Sequence, residues 1–339
     1  MKPLVSILIP AYNSEKWIAD TIRSAVAQTW EPKEIIIVDD GSTDRTLEIA
    51  HRFESERLRV IRQENQGAAA ARNRAFSLCR GDYIQWLDAD DLLAPDKIEK
   101  QMREVETTGS PRILLSSSFG QFMYRPSKAR FVPTPLWDDL SPTEFLLLKL
   151  GGKAFMQTSG WLVSRELSDA AGPWDTTMIS DDDGEYFCRV LLTSDGVRFV
   201  REAKVYYRSV GTTSLSWAVG SNRKLEALWR SMQLHIGYLR SLEHSERTRR
   251  ACLNYLQNYM IDFYPKRMDI VAQMHGVAES LGGQLESPRL SWKYKWIRPL
   301  FGWRRAQRAQ LFLPSIKGSV VRFYDRVLCR LEGQGFGEI

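Results

Sequence analysis

Hydrophobic and polar positions alternate in blocks along the first hundred residues. Val5 to Ile9 is an apolar, largely β-branched run that reads as a buried strand stopped by Pro10. Ser14 to Gln28 carries Trp17, Ile18, Ile22, Ala25 and Val26 at helical spacing. Glu34 to Val38 is a second buried strand, closed by Asp39-Asp40-Gly41-Ser42, and a short helix follows with Leu47, Ala50 and Phe53 on its inner side. Leu58 to Arg62 alternates with period two and predicts a third strand, Gly67 to Leu78 is Ala-rich and helical, and Tyr83 to Leu87 is a fourth strand ending in Asp88-Ala89-Asp90-Asp91. Pro95 opens a helix with Ile98, Met102 and Val105 on one side. Strands alternating with helices of this length predict βαβ units and a mostly parallel sheet, with ligands beyond the carboxyl ends of the strands. The polar clusters Ala11-Tyr12-Asn13, Asp39-Asp40 and Asp88 to Asp91 fall at those ends.

Between about 110 and 220 the pattern is less regular. Ser141-x-x-Glu144 predicts a capping box before an apolar helix, and Val205-Tyr206-Tyr207 a short strand. From Ser221 the period is helical: Leu225, Leu228, Trp229, Met232, Ile236 and Leu239, then Leu256, Tyr259, Met260 and Phe263, then Ile270, Met274, Val277 and Leu281. Gly282 to Pro288 reads as a linker.

The composition of the 339 residues, 43% hydrophobic and 26% charged, is that of a globular protein and excludes a largely disordered chain. No apolar run approaches the length of a membrane-spanning helix, and the N-terminus reads as a strand rather than a signal, so a cytoplasmic setting is expected. Cys79, Cys188, Cys252 and Cys329 form no C-x-x-C pair and are expected as free thiols, and the four His form no ligand pattern. The net charge of +6 is unevenly placed: residues 289–330 hold eleven Lys/Arg against Asp325 alone, so the remainder is mildly acidic. Such asymmetry points to an anionic partner for the tail.

No dinucleotide or Walker-type glycine loop follows the first strand. Asp88 and Asp90, at a strand end, project two carboxylates into one cleft, and adjacent like charges there favour a neutralising cation. Mg²⁺ or Mn²⁺ with oxygen ligands, bridging a substrate diphosphate, is the expectation. Either acidic cluster could equally be a solvated turn.

The ordered set Val5 to Asn13, Ile37 to Asp44, Asn65-x-Gly67 with Ala71-Arg72-Asn73, and Leu87 to Asp91 resembles the nucleotide-sugar half of glycosyltransferase family 2, across about residues 3–210. The resemblance implies an α/β GT-A fold, Rossmann-like, with a mostly parallel mixed sheet between helices and an α-helical C-terminal region. It implies an inverting, metal-dependent transfer from a nucleoside-diphosphate sugar, UDP-linked by expectation, to a glycan, lipid-linked or protein acceptor. Carried over residue by residue, Pro10, Ala11, Tyr12 and Asn13 line the base pocket and Asp40 or Asp39 bonds the base. Gly67, Arg72 and Ala89 lie along the nucleotide, Asp88 lies near the ribose, and Asp90 is on the metal with Asp88 as a second ligand. The inverting chemistry needs a base facing the acceptor. The stretch Ser180-Asp181-Asp182-Asp183-Gly184-Glu185 matches the family's acidic pair, which makes Asp183 the base, or Asp182 if the register slips by one. Helix capping by the same acids is the bland reading. Trp161 falls on the acceptor side, as a sugar-stacking ring or as core. The Q-x-x-R-W signature of processive members is absent, which predicts single additions.

The expected organisation is a GT-A domain at 1–218, divided into a nucleotide-sugar half (1–110) and an acceptor half (111–218). A helical region, 219–339, follows with its basic aromatic tail at 289–330. Trp292, Trp296 and Trp303 among the tail's cations suit an anionic membrane surface at the inner face, or else pack on the body; nucleic acid is not expected. A sugar nucleotidyltransferase and a non-catalytic nucleotide- or glycan-binding scaffold are the alternatives.

Overall fold

The computed structural model describes residues 2–152, 154–209, 221–288 and 290–332. In chain order they form β1 (Val5–Ala11), α1 (Ile18–Val26), β2 (Lys33–Asp39), α2 (Thr46–His51), β3 (Leu58–Arg62), α3 (Ala68–Leu78), β4 (Tyr83–Trp86), β5 (Leu92–Leu93) and α4 (Lys97–Thr108). Then come β6 (Ile113–Phe122), β7 (Arg130–Phe131), α5 (Pro142–Gly152), β8 (Val163–Ser164), α6 (Arg165–Ala171), α7 (Asp182–Thr193) and β9 (Gly196–Arg208). The C-terminal part is α8 (Asn222–Leu242), α9 (Glu246–Phe263), α10 (Met268–Ser280), α11 (Trp292–Lys295) and α12 (Ile297–Glu332), the last kinked at Gly302.

The predicted βαβ units build a sheet ordered β3-β2-β1-β4-β8, parallel except for β8 at its edge. β1 and β2 are continuous apolar runs because helices cover both faces of such a sheet, and Val5, Ile7, Leu8, Ile9, Ile36, Ile37 and Val38 are fully buried. Their register sets Ala11 opposite Asp39, which brings the two polar loops after these strands side by side. The mixed α/β architecture is the one expected, and its strands divide into two sheets. A second sheet, β5-β9-β6-β7, adjoins the first through a bridge between Leu115 and Leu162. The short strand expected at 205–207 is the end of the long β9, which runs parallel to β6 with a register break between Ser117 and Ser118. β5 pairs with β9 at Leu92 and Tyr206, so the acidic segment Asp88–Asp91 is the bend where the chain passes from one sheet to the other.

The expected capping box forms at α5: Glu144 N–H donates to Ser141 Oγ (3.2 Å) and Ser141 N–H to Glu144 Oε2 (3.1 Å). The C-terminal helices pack on the elements before them. α8 packs on α7, and α9 on α5. One buried carboxylate ties this layer down: Glu185 accepts from Arg189 Nε (2.7 Å) and Nη2 (2.8 Å) and from the Tyr238 hydroxyl on α8 (2.8 Å). The boundary expected at 218/219 lies outside the described residues. All four cysteines are free thiols. Among the described residues no helix is long and apolar enough to cross a membrane.

Glu185→Ala would leave Arg189 and Tyr238 without their shared acceptor. It should lower the unfolding free energy by roughly 3–5 kcal/mol, the range for breaking a buried ion pair from one side. Tyr238→Phe removes one hydrogen bond and should cost about 1–2 kcal/mol. Urea unfolding followed by tryptophan fluorescence checks both.

Candidate active site

The two acids after β2 differ in what remains free on them. Asp40 is saturated: Oδ1 accepts from Gln63 Nε2 (2.7 Å) and Gln66 N–H (3.0 Å), and Oδ2 from Gly67 N–H (2.8 Å). It holds the 63–67 loop and thereby the start of α3, where Gly67 supplies a φ of 92°. Asp39 is fully buried; Oδ2 accepts from Ser42 N–H (3.2 Å), while Oδ1 has no partner. A buried carboxylate oxygen left bare at a strand end is the natural acceptor for a ligand N–H. Asn13, at φ 47°, links the neighbouring loops: its Oδ1 accepts from Thr43 N–H (2.9 Å) and its N–H donates to Ser42 Oγ (3.0 Å). Tyr12 beside it is 50% exposed, and Pro10 and Ala11 finish β1.

The four-residue bend after β4 is divided in the same way. Asp91 is buried, its Oδ1 taken by Arg208 N–H (2.8 Å) and its Oδ2 by Gln157 Nε2. Ala89 contributes its carbonyl to Thr21 Oγ1 (3.0 Å). Among the described residues, the only donor near the Asp90 carboxylate is its own backbone N–H. Burial, and then the neighbouring Asp88 charge, push its pKa up to about 6, against the pull of Arg208.

Asp88 is joined to the other side of the cleft by one guanidinium. Arg72 donates from Nη2 to Asp88 Oδ1 (2.9 Å) and from Nη1 to Asp182 Oδ2 (2.7 Å). Its face lies 4.4 Å from the Trp174 ring, and Asn73 clasps the Trp174 backbone from both sides (2.9 and 2.8 Å). Burial would lower the Arg72 pKa, but Asp182 and Asp88 outweigh it and hold the group charged. Burial also raises Asp182, to about 6 despite Arg72, with Asp183 and Asp88 adding to the rise.

Asp182 and Asp183 stand in the first turn of α7, where the helix dipole favours anions. Asp183 Oδ2 accepts from Thr158 Oγ1 (3.1 Å), and Oδ1 from the N–H of Gly184 (2.9 Å). A Cβ at Gly184 would meet Asp181 Oδ1 at 2.1 Å, so a larger residue there would have to displace the Asp181 carboxylate. Below Asp183 opens a small recess of about 60 Å³ walled by Phe145, Lys149, Phe155, Trp161 and Phe187. Trp161 is buried and stacked on Phe187 (5.2 Å, 24°). It is therefore wall and core, not the exposed ring that sugar stacking on the acceptor side would use.

Arg208 had no signal in the local pattern, while Gln157 and Thr158 lie in the small-polar stretch 157–161 that the family resemblance puts on the acceptor side. Arg208 also donates from Nε to the Asp90 carbonyl (2.7 Å) while lying over Trp17 and Phe122. Gln157 and Thr158 belong to a small-polar stretch whose partners, Asp91 and Asp183, are far away in sequence.

No group of three or more His, Cys, Asp or Glu among the described residues is arranged to hold a metal by itself. The donor set fits a hard cation that takes one or two carboxylates and fills its other positions from substrate phosphates. Asp90, with its uncompensated charge, is the residue that fits it, and Asp88 can join only by sharing with Arg72.

A parallel sheet with acids at its strand ends, a second sheet and a facing acidic helix start define a GT-A sugar-transferase fold. Staphylococcus aureus TarS residues 1–349, solved with UDP-GlcNAc, matches it with a TM-score of 0.66 at 19% identity, over 92% of this chain and 89% of that one. Over residues 6–170 the chain matches the family model of glycosyl transferase family 2. It is 52% identical over 99 residues to the chondroitin synthase of Escherichia coli, which is 29% of this chain and 14% of that protein. It is 46% identical over 104 residues to TuaG of Bacillus subtilis, a putative teichuronic acid biosynthesis glycosyltransferase, covering 30% and 41%. An uncharacterized glycosyltransferase of Rickettsia typhi is 28% identical over 72% of this chain and 74% of its own. The matched stretch thus spans less than half of the first two relatives.

The raised Asp90 pKa has a thermal consequence. The folded chain holds this proton up to about 6 and the unfolded chain only to about 3.8, so between these values the folded state binds more protons. Stability from this group is therefore present below about pH 4 and lost as pH rises through about 6. With chelator present, Asp90→Asn should raise Tm above pH 6 and differ little below pH 4, read by scanning calorimetry. Equal Tm for both proteins at pH 7.5 would show that Asp90 carries no such penalty.

Proposed function

We propose that this chain is an inverting glycosyltransferase that takes its sugar from a nucleoside diphosphate, UDP in the first instance. The acceptor is a hydroxyl of a glycan, whether free, lipid-linked or on protein. The observation that carries the reading is the span of Arg72: one guanidinium touches both the strand-end acid Asp88 and Asp182 beside the proposed base. Donor and acceptor groups on its two sides would meet at bonding distance. Two structural neighbours support the nucleotide, since TarS was solved with UDP and with UDP-GlcNAc. The names of relatives, chondroitin synthase and a teichuronic acid enzyme, support a carbohydrate product.

In this mechanism the base lies along Pro10 to Asn13 and donates its N–H to Asp39 Oδ1, while Asp40 shapes the loop. The ribose lies toward Asp88 and the diphosphate toward Asp90. Mg²⁺ or Mn²⁺ held by Asp90, with Asp88 as a further ligand, would neutralise charge on the leaving diphosphate. Asp183 accepts the acceptor hydroxyl's proton as that oxygen attacks the anomeric carbon opposite the diphosphate, which inverts the configuration. Asp182 is engaged by the Arg72 cation, whereas among the described residues Asp183 meets only neutral donors, the Thr158 hydroxyl and the Gly184 N–H. We place the reaction in the cytoplasm, where nucleotide sugars are at hand.

Asp183→Asn keeps shape but cannot take a proton. Turnover with a UDP-sugar and a soluble glycan acceptor should fall by about 10² to 10⁴, mainly in kcat, with UDP-sugar binding retained by calorimetry. Asp182→Asn should lose less. A larger loss in Asp182→Asn would move the base by one residue, and full turnover in both would reduce the cluster to a helix cap.

A further inference from the structure

The C-terminal helices split the aromatic residues of the basic tail into two sets. One set faces inward: Leu290, Ile297 and Ala306 are buried, and Trp303 packs with them against Ile261 and edge-on to Tyr264 (5.4 Å, 82°). Gln307 Nε2 donates to the Ile261 carbonyl (2.6 Å), and Ser291 N–H to Gln310 Oε1 (2.7 Å). The first of these bonds, with the Ile261 packing, holds the segment on the end of α9, and the second closes the segment on itself. The other set is uncovered: Trp292 is 77% exposed, Trp296 60%, Leu300 69% and Phe301 51%. Trp296 keeps helical angles (φ −66°, ψ −22°) between α11 and α12, so positions 292, 296 and 300 follow one another at four-residue steps along one face.

Cations stand on the same segment. Lys293 Nζ lies 5.7 Å from the Trp292 ring, and Arg305 lies 6.0 Å from that of Phe301. Residues 289–324 contain no Asp or Glu. A protein partner would match such a surface with acids at defined places. A lipid surface needs only indole rings at headgroup depth, an apolar stripe beneath them and cations beside them, and that is the arrangement present. The indole N–H of Trp296, already bonded to the Lys293 carbonyl (2.9 Å), can enter the interface without losing a partner.

We infer that the uncovered face of residues 292–305 docks the protein on an anionic membrane surface, with Trp292, Trp296, Leu300 and Phe301 in the headgroup boundary and Lys293 and Arg305 on the lipid charges. This goes beyond sugar transfer and stands or falls separately from it. The probe is co-sedimentation of the full chain with vesicles of phosphatidylcholine containing one quarter phosphatidylglycerol, against vesicles of phosphatidylcholine alone. Binding should require the anionic lipid and weaken in 0.5 M salt. Trp292→Ser with Trp296→Ser should lower it at least tenfold, and so should Lys293→Glu with Arg305→Glu, all at unchanged circular dichroism. No binding to anionic vesicles overturns the inference, as does equal binding by wild type and variants. So does a wild-type dimer in sedimentation velocity that the Trp variants dissolve without any change in lipid binding, because the face would then belong to a second copy of the chain.

Discussion

The site depends on one guanidinium. Arg72 is the group that lets Asp88 and Asp182 approach each other, and both would otherwise add to the repulsion around Asp90 and Asp183. A lysine could not do the same: a point ammonium reaches one carboxylate well, whereas the planar fork presents two arms in fixed directions. Its placement depends in turn on α3, whose start is held by Asp40 through Gly67, and on Trp174, which Asn73 grips by its backbone. The donor-side loop, the arginine and the start of α7 therefore form one chain of contacts, and a disturbance at any link would shift the two halves of the site relative to each other.

Much of this frame was legible because the first hundred residues follow the simplest pattern. The runs around Ile7 and Ile36 are apolar on both faces, and nothing but a helix-covered parallel sheet accepts that. β6 escaped notice for a physical reason. Its centre, Ser116-Ser117-Ser118, is polar in sequence yet buried, so no apolar run marks the strand. β9 was seen only at its end, since the bulge opposite Ser117 breaks its two-residue period. The candidate acids were legible by position, but Arg208 and the Asp91 partner of Gln157 were not, because each contact joins segments that local periodicity does not relate.

Tryptophan shows the limit of residue type as a signal. Trp161 lies in a polar, acceptor-like stretch and is core. Trp292 and Trp296 lie in the same kind of basic helix as Trp303, and only Trp303 packs inward. What separates them is which face of the helix meets α9, a tertiary choice that the identical side chains do not express.

The acids separate by a different criterion, the number of oxygens left without a donor. Asp40, Asp91 and Glu185 are satisfied on both oxygens by groups of the chain itself. Each of them can be read as structure: a loop anchor, a sheet junction and a helix clasp. Among the described residues Asp39 keeps one bare oxygen, and Asp90 has its own backbone N–H as donor. Desolvating a carboxylate without compensation is costly, so a fold that tolerates two of them beside one cleft is stabilised further when a ligand supplies the missing donors or positive charge. A nucleotide base offers the first and a cation the second. The same unpaired oxygens that weaken the empty protein are therefore what would give it selectivity for a charged, hydrogen-bonding donor over a neutral sugar.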